Sequence, residues 1–447
     1  MKKFADILLL IGGGMLCLIP LIHFIRLGGI KGSVGAMWLI AGTGVLFAGF
    51  VARIEKQQRV RSFAAKMVDC YKIAAIFILN ALVAFVCLEF ASKAFFKAGD
   101  LLMEPAPRAA DPREKSSYYS NQPWAAQYWD EFALSRKTQY YPFAIWRRSP
   151  FKGATINIDQ NGVRLTPGAN CVANSFKVFT FGGSTMWGTG SPDWGTIPAY
   201  LQAALEKLRA GPICVMNFGE SAYVSTQSLV QLLLQLQSGN VPNWVLFYDG
   251  PNDVYTGYQS GRAGLHENFD VLAARFQKSE APESGPLMRL LKSFYLFSLS
   301  DKLVDKLSQT PQVSPKLVTY ETMGVDGAAL SQAIVERYLA NYKIVDGLAR
   351  EYGFKYFFFW PPYISMSQKP LTREEKSLKQ SIDPALDKLY HSVYQAIEPL
   401  ALEHLYYMGK IFDTYEPLVW LDDAHVTPEG NQLIAQNMLQ VIMNSAP

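Results

Sequence analysis

Hydrophobic and polar positions divide the chain near residue 95. Ahead of that point, Ile7–Ile25, Ser33–Ala52 and Ile73–Phe90 are mostly apolar, each close to the roughly 20 residues that cross a bilayer as a helix. Asn80 interrupts the third stretch and Glu89 ends it. The pattern predicts a membrane domain over 1–95 with up to three transmembrane helices, at about 7–25, 33–52 and 73–90. Residues 96–139, with the proline- and charge-rich run MEPAPRAADPREKSS, read as a stem or linker. Residues 140–175 read as a small β element packed on the larger domain C-terminal to it. There TINIDQNGVRLT alternates around Asn161-Gly162, a strong hairpin-turn dipeptide.

From Phe176 the pattern alternates between short apolar runs and helical periodicity. FKVFTF (176–181), ICVMNF (213–218), WVLFYDG (244–250) and FKYFFFW (354–360) predict buried strands. Between and after them, 197–208, 227–236 and 330–352 carry helical spacing, with Leu201, Leu205 and Leu208 on one face of the first. Thr427-Pro428-Glu429 opens a last helix, with proline at its first position. Strands alternating with helices imply a three-layer α/β/α domain around a parallel sheet, over 176–447. Residues 254–329 read as an insertion near the strand ends, where a lid would sit.

Charge changes the picture mainly at the membrane end. Residues 1–72 hold ten Lys and Arg against three Asp and Glu, a net +7, which leaves −3 for the rest of a chain of net +4. The remainder therefore has no concentrated basic face of the kind nucleic acid needs. The basic loop 53–72 is expected in the cytoplasm, so the crossing after it leads outward. Lys2 and Lys3 favour a cytoplasmic terminus too, which conflicts with that loop if all three stretches span; the number of crossings stays open. The main domain is expected on the periplasmic or extracellular side of the cytoplasmic membrane. No small-residue cleavage site follows the first stretch, which argues for an anchor rather than a removed signal peptide. In an oxidising compartment Cys171 and Cys214 have the opportunity to pair, although their spacing does not require it.

Ligands of an open α/β sheet bind beyond the carboxyl ends of its strands. Ser184 follows the first predicted strand, Gly219 the second and Asn252 the third, while Asp422 and His425 precede the last helix. A serine hydroxyl is a poor nucleophile until a base takes its proton, and imidazole suits that work near neutral pH. A carboxylate on the other ring nitrogen orients the imidazole and stabilises its cation. Asp422 is the expected partner, with Asp423 as its rival. The Ser184 and Gly219 amides and the Asn252 side chain are the expected oxyanion donors.

FGGST (181–185), NFGES (217–221), GPND (250–253) and DDAH (422–425) resemble the four blocks of the SGNH/GDSL hydrolases. The first block departs from the family's usual Gly-Asp-Ser, reading Gly182-Gly183-Ser184. The resemblance covers roughly 176–445 and implies a flavodoxin-like domain that cleaves or transfers esters through a serine acyl-enzyme, without metal or cofactor. Ser184, His425 and Asp422 then form the triad, and Ser184, Gly219 and Asn252 the oxyanion hole.

Other readings of these residues are weaker. GGST could open a phosphate cradle, but no GxxxxGK[ST] lysine follows it. Asp422, Asp423 and His425 could take a metal only with further ligands that the sequence does not offer. Trp187, Trp360 and Tyr363 lie near strand ends and are candidates to line a sugar-binding cleft, with core packing as the alternative. His23 reads as an interfacial or packing residue, and His266, His391 and His404, which lack partner motifs, as structural or solvated. The expected activity is removal of O-acyl groups, foremost O-acetyl, from a cell-surface glycan or another ester. The alternatives are O-acyl transfer to an exported polysaccharide, and a catalytically silent module that binds glycan. Expected partners are the ester substrate and the lipid bilayer, with polysaccharide-export proteins left unspecified.

Overall fold

The computed structural model describes residues 58–102, 110–279 and 318–445, together with Phe294, Tyr295 and Phe297. The chain divides into two compact units, residues 1–103 with 286–308 and residues 104–285 with 309–447.

In the first unit, helix α1 (Gln58–Leu102) contains the third apolar stretch. Its segment Ala65–Lys97 is long and apolar enough to cross a membrane, and Phe77, Ile78 and Phe90 are exposed along it. The stretches 7–25 and 33–52 lie outside the described residues.

The second unit begins in the segment read from sequence as a stem, and here the structure differs. Two 3₁₀ turns (Pro112–Lys115 and Ser117–Asn121) lead into α2 (Ala125–Ser135). Tyr119, Tyr128, Trp129 and Phe132 are buried against Ile156, Ile158, Trp187 and Leu421, so the segment is part of the folded body. Apolar burial of four aromatic side chains outweighs the disorder that proline and charge suggest. The expected small β element follows as β1 (Thr138–Tyr141) paired with β2 (Ile145–Arg148), then β3 (Phe151–Lys152) with β4 (Asn157–Ile158). Around Asn161-Gly162 the chain does turn, and Arg164 bridges Ile158 on one side and Asn217 on the other.

The main sheet follows the alternating pattern. Its strands are β5 (Phe176–Gly182), β6 (Ile213–Asn217), β7 (Trp244–Tyr248), β8 (Lys355–Trp360) and β9 (Leu405–Tyr407), in the order β6-β5-β7-β8-β9 and parallel throughout. Alternate residues feed two cores, as the two-residue period of a strand requires. Phe179, Phe181, Phe247 and Phe358 pack on one face under α5 (Ser225–Gln237), α8 (Gly327–Tyr352) and α10 (Pro384–Ile397). Val178, Leu246, Phe357 and Phe359 pack on the other under α4 (Ile197–Leu208) and α11 (Pro428–Ser445). The architecture is a three-layer α/β/α domain with a five-stranded parallel sheet.

Side-chain caps fix the helix ends. Thr196 accepts from the Ala199 amide ahead of α4, and Asp326 from those of Ala328 and Ala329 ahead of α8. Helix α6 (Pro251–Ser260) runs from the end of β7 into the insertion, which supplies α7 (Phe269–Ser279); most of its remainder lies outside the described residues. Cys171 and Cys214 form a disulfide between the loop ahead of β5 and strand β6.

Candidate active site

Strand β5 ends at Gly182, and Ser184 opens a single helical turn, α3 (Ser184–Trp187), with Gly183 as its N-cap. The turn closes through the Trp187 amide to the Gly183 carbonyl at 3.0 Å. A Cβ on Gly183 would collide with Asn252 Nδ2, so only glycine lets that amide lie beside the serine. Buried Arg164 braces the far end of the turn, donating to the carbonyls of Trp187, Gly188 and Ser191 and pairing with Asp193 at 2.8 Å.

The loop opposite is held as firmly. Trp420 and Val426 form an antiparallel bridge, and the Leu421 amide donates to the His425 carbonyl at 2.9 Å. Beneath it the buried Glu375 carboxylate, on α9 (Arg373–Gln380), accepts from the Val419 and Trp420 amides and from Lys369 Nζ at 2.8 Å. Asp422 and His425 are thus fixed at the two shoulders of a tight loop.

Three predicted residues meet directly. His425 Nε2 lies 2.7 Å from Ser184 Oγ, and His425 Nδ1 lies 2.7 Å from Asp422 Oδ2. The other Asp422 oxygen accepts from the amides of Ala424 (2.9 Å) and His425 (2.7 Å). An ionised Asp422 assigns the Nδ1 proton to His425, leaving Nε2 as acceptor for the serine hydroxyl. Of the two aspartates, Asp422 is the one bonded to the imidazole.

One neighbour escaped the sequence reading. Arg113, from the first 3₁₀ turn, donates to Asp422 Oδ2 at 3.2 Å and to both oxygens of Asp111 at 2.8 Å. Its Nη1 also stands 3.1 Å from His425 Nδ1. With the Nδ1 proton committed to Asp422, that approach is donor against donor, and the guanidinium acts through the carboxylate. Burial alone would raise the Asp422 pKa, yet His425 and Arg113 hold it well below the ordinary carboxylate range. Asp423 is pushed the other way, up to about 6, by burial and by the neighbouring Asp422 charge.

The expected oxyanion donors divide. Asn252 Nδ2 donates one proton to the Tyr223 carbonyl at 2.8 Å, which orients the amide and leaves its second proton for a ligand. Gly219 packs on the turn Ser184–Trp187 and lines neither cavity that reaches Ser184. Its amide donates to Asn217 Oδ1 at 3.0 Å, and a Cβ there would stand 2.6 Å from the Trp187 nitrogen, so this glycine serves close packing. Ser221 and Ala222 are the residues of that loop that face the cleft, and among the described residues Ala222 has the free amide. Ala222 lines the same cavity as Ser184 and Asn252 and adopts φ +63°. Alanine rarely takes this conformation, so no sequence signal favoured it over the glycine.

Two cavities meet at Ser184 and Asn252. The smaller, of about 230 Å³, reaches His425, Tyr223, Tyr248, Tyr390 and Asp423. The larger, of about 820 Å³, runs between α2, the β1–β2 hairpin and α7. The aromatic residues expected in a cleft are elsewhere. Trp187, Trp360 and Tyr363 are fully buried: Trp187 beneath the Arg148 and Arg164 guanidiniums, Trp360 against Tyr338 and Tyr394, and Tyr363 stacked on Tyr390 at 3.9 Å. Phe132, Tyr140, Trp146 and Tyr255 line the larger cavity instead.

Solved structures give low likenesses. An acetyl xylan esterase, AlAXEase, is 14% identical, covering 60% of this chain and 99% of its own at a TM-score of 0.33. TesA is 13% identical over 60% of this chain and 99% of its own, with a TM-score of 0.30. Axe2, an acetylxylan esterase from Geobacillus stearothermophilus, is 14% identical over 62% of this chain and 95% of its own, at 0.28. No curated protein matches the chain in sequence. The GDSL-like Lipase/Acylhydrolase family matches residues 178–438, more than half of the chain and all four blocks around Ser184, and the chain belongs to that family of serine hydrolases.

Proposed function

We propose that the protein is a membrane-anchored, extracytoplasmic serine esterase that removes short O-acyl groups, foremost O-acetyl, from a cell-surface glycan. The carrying observation is the unbroken relay from Ser184 Oγ through His425 to Asp422, with both contacts at 2.7 Å. In this reading His425 Nε2 takes the hydroxyl proton as Oγ bonds to the ester carbonyl carbon. The tetrahedral oxyanion is met by the amides of Ser184 and Ala222 and by Asn252 Nδ2. His425 then returns the proton to the departing sugar hydroxyl as the ester C–O bond breaks. Water, deprotonated by the same imidazole, releases the acid and frees the serine.

The two cavities suit the two halves of such an ester. The smaller has room for a short acyl chain and the larger for sugar units. Apolar helix α1 supports an anchor, and the Cys171–Cys214 disulfide supports an oxidising compartment. The room for a second sugar in the larger cavity beside Ser184 also favours a second reading, O-acyl transfer, in which an acceptor hydroxyl occupies the place of water.

The test uses the full chain in detergent with p-nitrophenyl acetate and with acetylated xylan. Acetate release that disappears in Ser184→Ala and in His425→Ala supports the reading, and unchanged release in Ser184→Ala overturns it. Acetyl appearing on an added oligosaccharide, at the expense of free acetate, selects transfer.

A further inference from the structure

The larger cavity has a charge pattern that acyl transfer chemistry does not require. Four guanidiniums line it, those of Arg113, Arg136, Arg148 and Arg275, against one carboxylate, Glu267. Two of the four are already neutralised: Arg113 by Asp111 and Asp422, and Arg148 by buried Glu220 at 3.6 Å. The other two make no such pair, although Arg136 acts on Asp111 from beyond ion-pair distance. Arg136, at the C-cap of α2, and Arg275, on α7, are exposed and have no ion-pair or hydrogen-bond partner among the described residues. They stand on different elements, so a ligand lying in the cavity meets positive charge from both.

Nothing in the overall charge explains this excess, because the chain after residue 72 carries a net −3. Glu267 is a single carboxylate against these guanidiniums, and burial raises its pKa. Burial pushes Arg148 down to about 10, opposed by Glu220 and Tyr128, with smaller contributions from the charges of Arg164 and Arg136. Among these charges stand faces that suit sugar rings: Tyr140, 79% exposed on the β1–β2 hairpin, with Trp146 and Tyr255.

From this juxtaposition we infer that the substrate is an anionic glycan: an O-acylated polysaccharide whose sugar units carry carboxylate or phosphate groups, held by Arg136 and Arg275 while the ester lies over Ser184. The inference rests on the esterase reading for the position of the ester, and not for the binding of the polymer. Guanidinium groups suit this task because they stay charged and bond carboxylate or phosphate through two N–H groups at once. The aromatic faces and the short acyl pocket favour a glycan over a lipid.

The experiment uses the full chain in neutral detergent and separates binding from turnover. Binding of unacetylated oligogalacturonate and of neutral xylo-oligosaccharide to the Ser184→Ala protein is measured calorimetrically at low and high NaCl. Binding of the uronate at least about tenfold tighter than the xylo-oligosaccharide, weakening as salt rises, is the expected result. Arg136→Gln and Arg275→Gln, each made in that background, should weaken uronate binding by about three- to tenfold. Made in the otherwise wild-type chain, they should leave p-nitrophenyl acetate turnover unchanged. Phosphate-bearing oligosaccharides, run in parallel, identify which anion is preferred. Equal affinity for the acidic and neutral oligosaccharides overturns the inference, as does a loss of p-nitrophenyl acetate turnover equal to the loss of binding. Variants that weaken retention on phosphatidylglycerol micelles and not on uronate would assign the arginines to lipid and overturn it too. A chain that binds uronate through these arginines and hydrolyses no ester would leave this inference standing and remove the esterase reading.

Discussion

Replacing Arg113 with methionine keeps much of the side-chain volume while removing the cation 3.2 Å from Asp422 Oδ2. At an effective dielectric of about 20 the bare attraction across that distance is about 5 kcal/mol. Desolvation offsets part of it, and Asp111 shares the charge through two bonds of 2.8 Å. A charge-assisted hydrogen bond contributes about 1.5–3 kcal/mol net, which corresponds to roughly 10- to 150-fold in rate if it supports the transition state. The expected result with p-nitrophenyl acetate is a fall in kcat of that size with KM little changed, because Arg113 acts on the base's partner rather than on the ester. Arg113→Lys should recover part of the loss. Adding Asp111→Asn to Arg113→Met should also recover part, since the single variant leaves Asp111 uncompensated near Asp422. In an Asp422→Asn background the same substitution should cost little, because its target is gone. Wild-type kcat in Arg113→Met, or an undiminished loss in the Asp422→Asn background, would refute a role through Asp422.

Stability should depend on pH through acids buried near the site. Asp253, held at about 6 by burial, keeps its proton in the folded state over a range where the unfolded chain, near 3.8, has released it. Stability therefore falls as pH rises from about 4 to about 6, by roughly 3 kcal/mol for this group, and Asp253→Asn should flatten that part of a Tm–pH curve. Asp422 has the opposite sign: its depressed pKa stabilises the fold above pH 4, and this is lost on further acidification. Opening the Cys171–Cys214 link, which spans 43 residues, should cost about 4 kcal/mol by chain entropy, read as a lower denaturation midpoint in Cys171→Ser/Cys214→Ser. Gly183→Ala should displace Asn252 Nδ2 and lower kcat by about 10²–10³-fold, whereas Ala222→Gly, which keeps the amide and suits φ +63°, should leave it near wild type.

Four of the five main strands were legible because each is a short, almost wholly apolar run ended by Gly, Asn or Pro, as in FKVFTFGG. The fifth, Leu405–Tyr407, is three residues long and too short to carry a pattern. Ser184, Asn252, Asp422 and His425 were legible because sheet topology gathers strand ends, so their order along the chain predicted their meeting. Gly219 misled for a conformational reason: the sequence points to glycine wherever backbone must approach closely, and that glycine faces Trp187. Arg113 was hidden because ADPREKSS reads as linker, although Asp111 before Pro112 is itself a helix-start signal and caps the turn that carries it. Trp187, Trp360 and Tyr363 followed from proximity to strand ends, which does not distinguish a cleft from the core beneath it.

The relay of Ser184, His425 and Asp422 is tested most directly by trapping the acyl-enzyme. The full chain is mixed with p-nitrophenyl acetate, quenched with acid on the millisecond scale, digested and analysed by mass spectrometry. A p-nitrophenol burst no larger than the amount of protein is expected, with an acetyl group on the hydroxyl of Ser184, both absent in Ser184→Ala. Sustained turnover with Ser184 unmodified at every time point, and retained by Ser184→Ala, would contradict it.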